Sequence, residues 1–231
     1  MDLILEDKNK RTINAKEEIV FSSFSSWHLI AITARAKGEK QLKSGSTDDE
    51  DLTIEIDGKV FPKLGTKSAL IDSSASFNGG KLHNLAETIY FLIFLKGKNH
   101  KIIFKADGPS KTATLENLEV YSVNLNWRLN LDLNLRAEDG DRRPWITLVL
   151  DGLELKSFYA SLNLSKRFID SDDVKVIVDG VIKRNHRNLL HKFWYFSVSL
   201  FSSGEQEELF LTELPKDSHY IEFFADRAPL F

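Results

Sequence analysis

Apolar residues fall at every second position in run after run of this chain. In LTIEIDG, Leu52, Ile54 and Ile56 share one face, and Thr53, Glu55 and Asp57 share the other. That two-residue period is the pattern of a strand with one face on a core and the other in water. The same period governs Trp27 to Ala36, Thr114 to Val123, Trp127 to Ala137 and Val174 to Val178. Glu87 to Pro109 holds two apolar runs rich in β-branched and aromatic residues, joined at Lys96-Gly97-Lys98-Asn99, which predicts a hairpin. Asp57-Gly58 and Asp179-Gly180 are tight-turn dipeptides between such runs. No stretch of ten or more residues carries a helical period. The predicted class is all-β.

The runs also recur in order. LKGKNHKIIFKAD at Leu95–Asp107 is matched by LPKDSHYIEFFAD at Leu214–Asp226, with Leu, a turn, His, Ile, Phe, Ala and Asp in step. Trp27 to Gly58 has a counterpart from Trp127 onward, and DEDLTIEIDG is echoed by DSDDVKVIVDG. Offsets of about 100 to about 120 residues exceed solenoid periods and suit tandem domains of one fold. Short strands punctuated by turn signals predict two tandem antiparallel β-sandwich (jelly-roll) domains, 1–123 and 124–231. In the first, Asp107-Gly-Pro109 leads into a closing strand. In the second, Asp226-Arg-Ala-Pro229 leads only into Leu230-Phe231, so the second domain is expected to lack its last strand, as a truncated chain would.

Composition narrows the classes. A net charge of −3 offers no basic face for phosphates, so no nucleic-acid partner is expected. There is no cysteine, which removes disulfide scaffolds and thiolate metal sites. The N-terminus lacks the apolar core of a signal peptide, and no window reaches the length of a membrane span. The chain reads as soluble, with the compartment and the oligomeric state left open: extracellular or cell wall given a secretion route, cytoplasmic otherwise.

Enzyme motifs are absent. There is no G-x-S-x-G elbow, no H-E-x-x-H helix and no Gly-rich phosphate loop. His100 and His219 recur at matching positions, which assigns them to the fold. His186 and His191 are close enough to share a metal, yet no third ligand lies near them in sequence. No cofactor is required. The acidic clusters Asp48, Asp49, Asp51 and Asp170, Asp172, Asp173 are of the kind that holds Ca²⁺ through carboxylate oxygens, or else solvated strand ends.

The best ligand loop is Asp72 to Asn84 (DSSASFNGGKLHN), because the second half shows no counterpart to Phe77-Asn78-Gly79-Gly80. Asp72, Asn78, His83 and Asn84 offer polar contacts, Gly79 allows close backbone approach, and Phe77 offers a stacking face. Trp145, after Arg142-Arg143-Pro144, is a second stacking candidate, with Arg143 beside it. Trp27 and Trp127 begin matching strands and are expected in the core, and Trp194 of the Phe193–Phe196 cluster in the core or at an inter-domain contact.

With its Gly-Lys-x-His turn followed by x-Ile-x-Phe-x-Ala-Asp, the chain resembles jelly-roll carbohydrate-binding modules, broadly families 6 and 35. Such modules often begin with a calcium-binding Ala-Glu pair; the stretch here is Ile13-Asn14-Ala15-Lys16-Glu17, with Lys16 intervening. FSSFSSWHLIAITARAKGEKQ, FNGGKLHNL, EDGDRRPWIT and DSDDVKVIVDG are similar to the N-terminal region of uncharacterised bacterial proteins that continue into a cell-wall hydrolase domain. The resemblance implies a non-catalytic module pair that binds a polysaccharide or oligosaccharide of the cell wall. Two alternatives stand beside it: a structural or protein-interaction module without glycan affinity, and a glycan-active hydrolase on the same scaffold. Exposure of Phe77 and Trp145 separates the first two readings, since buried rings favour the protein-interaction module.

Overall fold

In a computed structural model, residues 1–42, 46–126, 128–166, 171–185, 192–198 and 204–231 are described. Trp127, Asp170, His186 and His191 fall outside them. Among the described residues fifteen strands follow in chain order: β1 (Asp2–Asp7), β2 (Arg11–Asn14), β3 (Lys16–Ser22), β4 (Ser26–Arg35), β5 (Asp51–Ile56), β6 (Lys59–Val60), β7 (Phe77–Asn78), β8 (Glu87–Leu95), β9 (Asn99–Asp107), β10 (Thr112–Val123), β11 (Arg143–Leu164), β12 (Asp173–Val178), β13 (Val181–Ile182), β14 (Phe196–Ser197) and β15 (Gly204–Asp226). The one α-helix among the described residues, α1 (Gly79–Leu82), is a single turn. Strand makes up 58% of the described residues, so the fold is all-β.

The strands form two sheets. The larger runs β1-β10-β4-β8-β11-β15-β12-β13, and the smaller runs β3-β9-β5-β6. Alternation along β4 and β8 serves two cores. Ile30, Ile32, Ile89, Phe91 and Ile93 face the smaller sheet, with Ile54, Ile102 and Phe104 opposite. Leu29, Ala31, Tyr90 and Leu92 face the other way, into a core shared with Ile146, Val176, Ile221 and Phe223. A strand buried on both faces loses its polar positions, which is why β8 (ETIYFLIFL) reads as almost continuously apolar.

β8 pairs with β11 in parallel, from Thr88 against Ile146 to Leu92 against Leu150. This pairing carries the large sheet across the expected boundary at 123/124. Register shifts between Asp151 and Ser157, around Gly152 at φ 70°, bend the β11–β15 ribbon. Residues 153–164 and 204–214 thereby fold back as a second layer, where Phe158 meets Phe223 edge-on at 6.3 Å.

Both Asp-Gly turns form as the sequence indicates. Asp57 and Gly58 sit at φ 49° and 82°, and Asp179 and Gly180 at 50° and 76°. Two left-handed residues make the turn whose twist matches its strands, joining Ile56 to Lys59 and Val178 to Val181. Each turn aspartate then grips the strand beyond. Asp57 Oδ2 lies 2.7 Å from His100 Nδ1 and Asp179 Oδ2 lies 2.6 Å from His219 Nδ1, while the other oxygens accept from the Lys101 and Tyr220 amides at 2.8 Å.

One expected strand is not paired. Residues 128–135 pack Leu129, Leu131, Leu133 and Leu135 on the second core, but they join no ladder among the described residues, and Asn134 at φ 40° interrupts the strand conformation. A second difference concerns Phe77, for which the second half does hold a counterpart. β7 pairs Phe77 with Leu52 and Asn78 with Asp51, and β14 pairs Phe196 with Val174 and Ser197 with Asp173. Only the phenylalanine is common to the two stretches, so sequence comparison passes over the match.

Candidate functional site

The loop Asp72–Asn84 is a bracket that closes the smaller sheet. Phe77 is fully buried in the first core. The Asn78 side chain accepts from the Lys81 amide at 3.0 Å and so caps α1. Gly79 N–H donates to the Glu50 carbonyl at 2.9 Å and to Asp51 Oδ1 at 3.1 Å. His83 and Asn84, at φ 50° and 67°, reverse the chain, and Asn84 N–H donates to the Ala36 carbonyl at 2.8 Å. These groups bind their own chain. Asp72 stands apart, on a cavity of about 500 Å³ whose lining mixes Thr53, Lys105 and Asp107 with Leu70 and Ile71.

Trp145 and Arg143 are buried as well. Trp145 is 3% exposed and its ring lies 5.7 Å from that of Phe231. With Phe77 at 0%, neither ring selected for stacking presents a face to solvent. At the junction between the two halves the structure links Asn84 and Arg143 through Arg35 and Glu138. There Arg35 donates to the Asn84 carbonyl at 3.1 Å and pairs with Glu116 and Glu138. Glu138 in turn accepts from the Ala86 amide at 3.0 Å, and its carbonyl accepts from Arg143. Burial pushes the Glu138 carboxyl up, but Arg35 and the Ala86 amide outweigh it and hold the group below its ordinary value. Arg143 keeps Nε and Nη1 buried without partners, and burial lowers its pKa.

The acidic positions also serve the fold. Glu50 accepts from the Ser110 and Thr112 amides at 2.6 and 2.9 Å, and Asp172 from the Ser165 and Ala228 amides at 2.8 and 3.1 Å. Asp51 is pushed up to about 7, first by burial and then by Asp49, Asp48 and Asp107, with the Gly79 amide opposing. Asp48 is exposed, and Asp173 pairs with Asp226 across the ladder. Among the described residues, no three His, Asp or Glu side chains gather as a metal site would require.

What sequence reading missed is a pair of buried acids. Glu87, 2% exposed, accepts from the Thr147 hydroxyl at 2.7 Å, and burial pushes its carboxyl up to about 8, with Glu222 adding to the rise. Glu222, also raised by burial, bonds Ser74 of the loop above it. The available signal was a glutamate heading the most apolar run in the chain. A carboxyl whose folded pKa lies above its unfolded value favours folding fully below the unfolded value near 4.5, and loses that advantage as pH rises toward 8. Wild-type stability should therefore fall between pH 5 and pH 8, by at most about 1.4 kcal/mol per pH unit for each such group. Glu87→Gln should flatten that fall in urea titrations at pH 5, 6.5 and 8. An unchanged slope would contradict the burial of the charge.

No family model matches this sequence, and no curated protein matches it. Among solved structures, dimeric latent PorU from Porphyromonas gingivalis aligns over 100% of this chain and 21% of its own, at 8% identity and a TM-score of 0.31. A likeness that weak carries no argument about fold or activity.

Proposed function

We propose that this chain is a non-catalytic structural module that engages other polypeptides rather than sugar rings. The observation that supports this reading most directly is the burial of Phe77 and Trp145. Glycan modules bind by stacking aromatic faces on sugars, and here both candidate faces are core. Exposed apolar residues of the second half include a group on its folded-back ribbon, where Tyr159 stands opposite Leu209, with Leu211 beyond. An outward apolar patch on strands is a protein-contact feature.

The test is sedimentation of the chain with insoluble peptidoglycan, chitin, cellulose and xylan. No retention above the polymer-free control is expected. Retention on one polymer that Phe77→Ala or Trp145→Ala abolishes, with circular dichroism unchanged, would overturn the reading and return the chain to the glycan binders.

A further inference from the structure

A second group of exposed apolar side chains gathers at β12 and β13, away from the ribbon. Val174, Val176 and Val178 face the second core, so Lys175 and Ile177 point to the opposite face of the sheet. β13 extends that outer face. Ile182 pairs with Ile177, and Lys183 N–H donates to the Val176 carbonyl at 2.9 Å, which brings Arg184 beside Lys175. Aromatic rings complete it. The Arg184 guanidinium lies 5.5 Å from the centre of the Phe193 ring, and the Lys175 ammonium lies 4.9 Å from Trp194 and 5.8 Å from Phe224. Phe193 is 51% exposed and Val181, at the rim, 63%, with Ile182 exposed between the core strands and solvent. Lys192, also exposed, is held alongside by its carbonyl, which accepts from the Asn185 amide at 2.9 Å. Asp226, the acid beside Lys175, is buried and pairs with Arg142 at 3.8 Å. Phe231 packs on Phe223 in the second core, across the sheet from this face.

We propose that this face docks on an anionic lipid surface, with Phe193, Ile182 and Val181 entering the headgroup layer and Arg184, Lys175 and Lys192 meeting the lipid phosphates. The face is separate from the folded-back ribbon, so the inference goes beyond the protein-interaction reading and stands apart from it. Charge is the first argument. The chain carries a net charge of −3, yet the charged side chains that frame these apolar residues are cations. The second is the pairing of cations with aliphatics. A sugar–phosphate backbone rewards cations and rings, but Val181 and Ile182 gain nothing from it, whereas a bilayer interface takes phosphate-binding and apolar groups together. The posture of the cations is the third. A lysine or arginine laid across a ring covers apolar surface with its stem and keeps its charge at the edge, as side chains do when they snorkel at an interface. Half-buried Trp194 has the apolar body and polar N–H that suit the same depth. Each cation close to an anionic leaflet adds roughly fivefold to partitioning, and salt removes that gain.

The probe is sucrose-loaded vesicles, of phosphatidylcholine alone or of phosphatidylcholine and phosphatidylglycerol at about three to one, sedimented with the full chain in low salt. Partitioning onto the anionic vesicles should exceed that onto the neutral ones at least about tenfold, and salt at about 0.5 M should remove most of the difference. Both readings use the unaltered chain. Arg184→Glu together with Lys192→Glu, two exposed changes, should lower partitioning about tenfold or more at an unchanged melting temperature. Leu209→Ser with Leu211→Ser, on the ribbon, should leave it as it is. Absence of partitioning onto anionic vesicles, equal partitioning onto neutral ones, or full partitioning of the charge-reversed variant would overturn the proposal. Loss of partitioning in the ribbon variant would do so too, by moving the contact to the ribbon. Binding of poly-L-glutamate without binding of vesicles would make an acidic polypeptide the occupant and would equally overturn it.

Discussion

Phe77→Ala should lower the stability of the chain by roughly 3–5 kcal/mol, the range for removing a fully buried aromatic ring. Phe77 has 0% exposure and is held by its ladder to β5 at Leu52, so it packs from a fixed backbone. Truncation removes the ring's contacts and leaves a cavity that the adjoining strands, hydrogen-bonded on both sides, cannot close. Urea denaturation with an unchanged m-value is the measurement. Phe196→Ala is the internal comparison, because Phe196 occupies the matching place on β12 at 2% exposure and should cost a similar amount. A loss below about 1 kcal/mol at both positions would mean that the rings are not core anchors.

Gly79→Ala should be at least as damaging, for a different reason. A Cβ at this position would fall well inside contact distance of the Lys37 and Glu50 carbonyl oxygens, both of them backbone. Neither oxygen can swing aside. The Glu50 carbonyl accepts the Gly79 amide, and the Lys37 carbonyl accepts the Glu50 amide, both at 2.9 Å. Relief requires residues 37–50 to detach from the bracket, at an expected cost above about 3 kcal/mol or loss of folding altogether. Gly80→Ala makes the contrast sharp. Its Cβ would meet side chains and no backbone: the end of Asp49, which can rotate away, and Asn78 Oδ1 at 3.3 Å, so a change under about 1 kcal/mol is expected. Equal effects at the two glycines would refute the steric account. Both variants can be read by thermal melting.

The fold was legible wherever a local rule decides it. Alternation gave the strands, and Asp57-Gly58 and Asp179-Gly180 gave the two hairpin turns because only residues tolerant of positive φ fit them. The matched histidines proved to be gripped by the turn aspartates, a pairing visible in sequence once the turns are placed. Residues 128–135 show the limit. They carry a strand's period, but whether a strand finds a neighbour is a matter of topology, and no residue in the run encodes it. Phe77-Asn78-Gly79-Gly80 shows another. Glycine and asparagine serve a ligand loop and a tight structural bracket equally well, and only the carbonyls of Lys37 and Glu50, distant in sequence, distinguish the two. Phe77 and Trp145 were open between surface and core because an aromatic residue beside polar neighbours fits both. Glu87 was hidden in the opposite way: an acid at the head of a strand reads as solvated until Thr147 of β11 and Glu222 of β15 come to lie beside it.

The parallel pairing of β8 with β11 has a consequence for how the chain is made. A ribosome adding about 5–20 residues per second completes the N-terminal half seconds before residues 143–150 emerge to pair with β8. Through that interval the β8 edge and the apolar side chains of Leu29, Tyr90 and Leu92 face solvent, an arrangement that invites intermolecular strand pairing. The nascent half is therefore the aggregation-prone species on the route to the native state, and holdase chaperones would meet their substrate there. The second half then acts as the cover that ends its exposure.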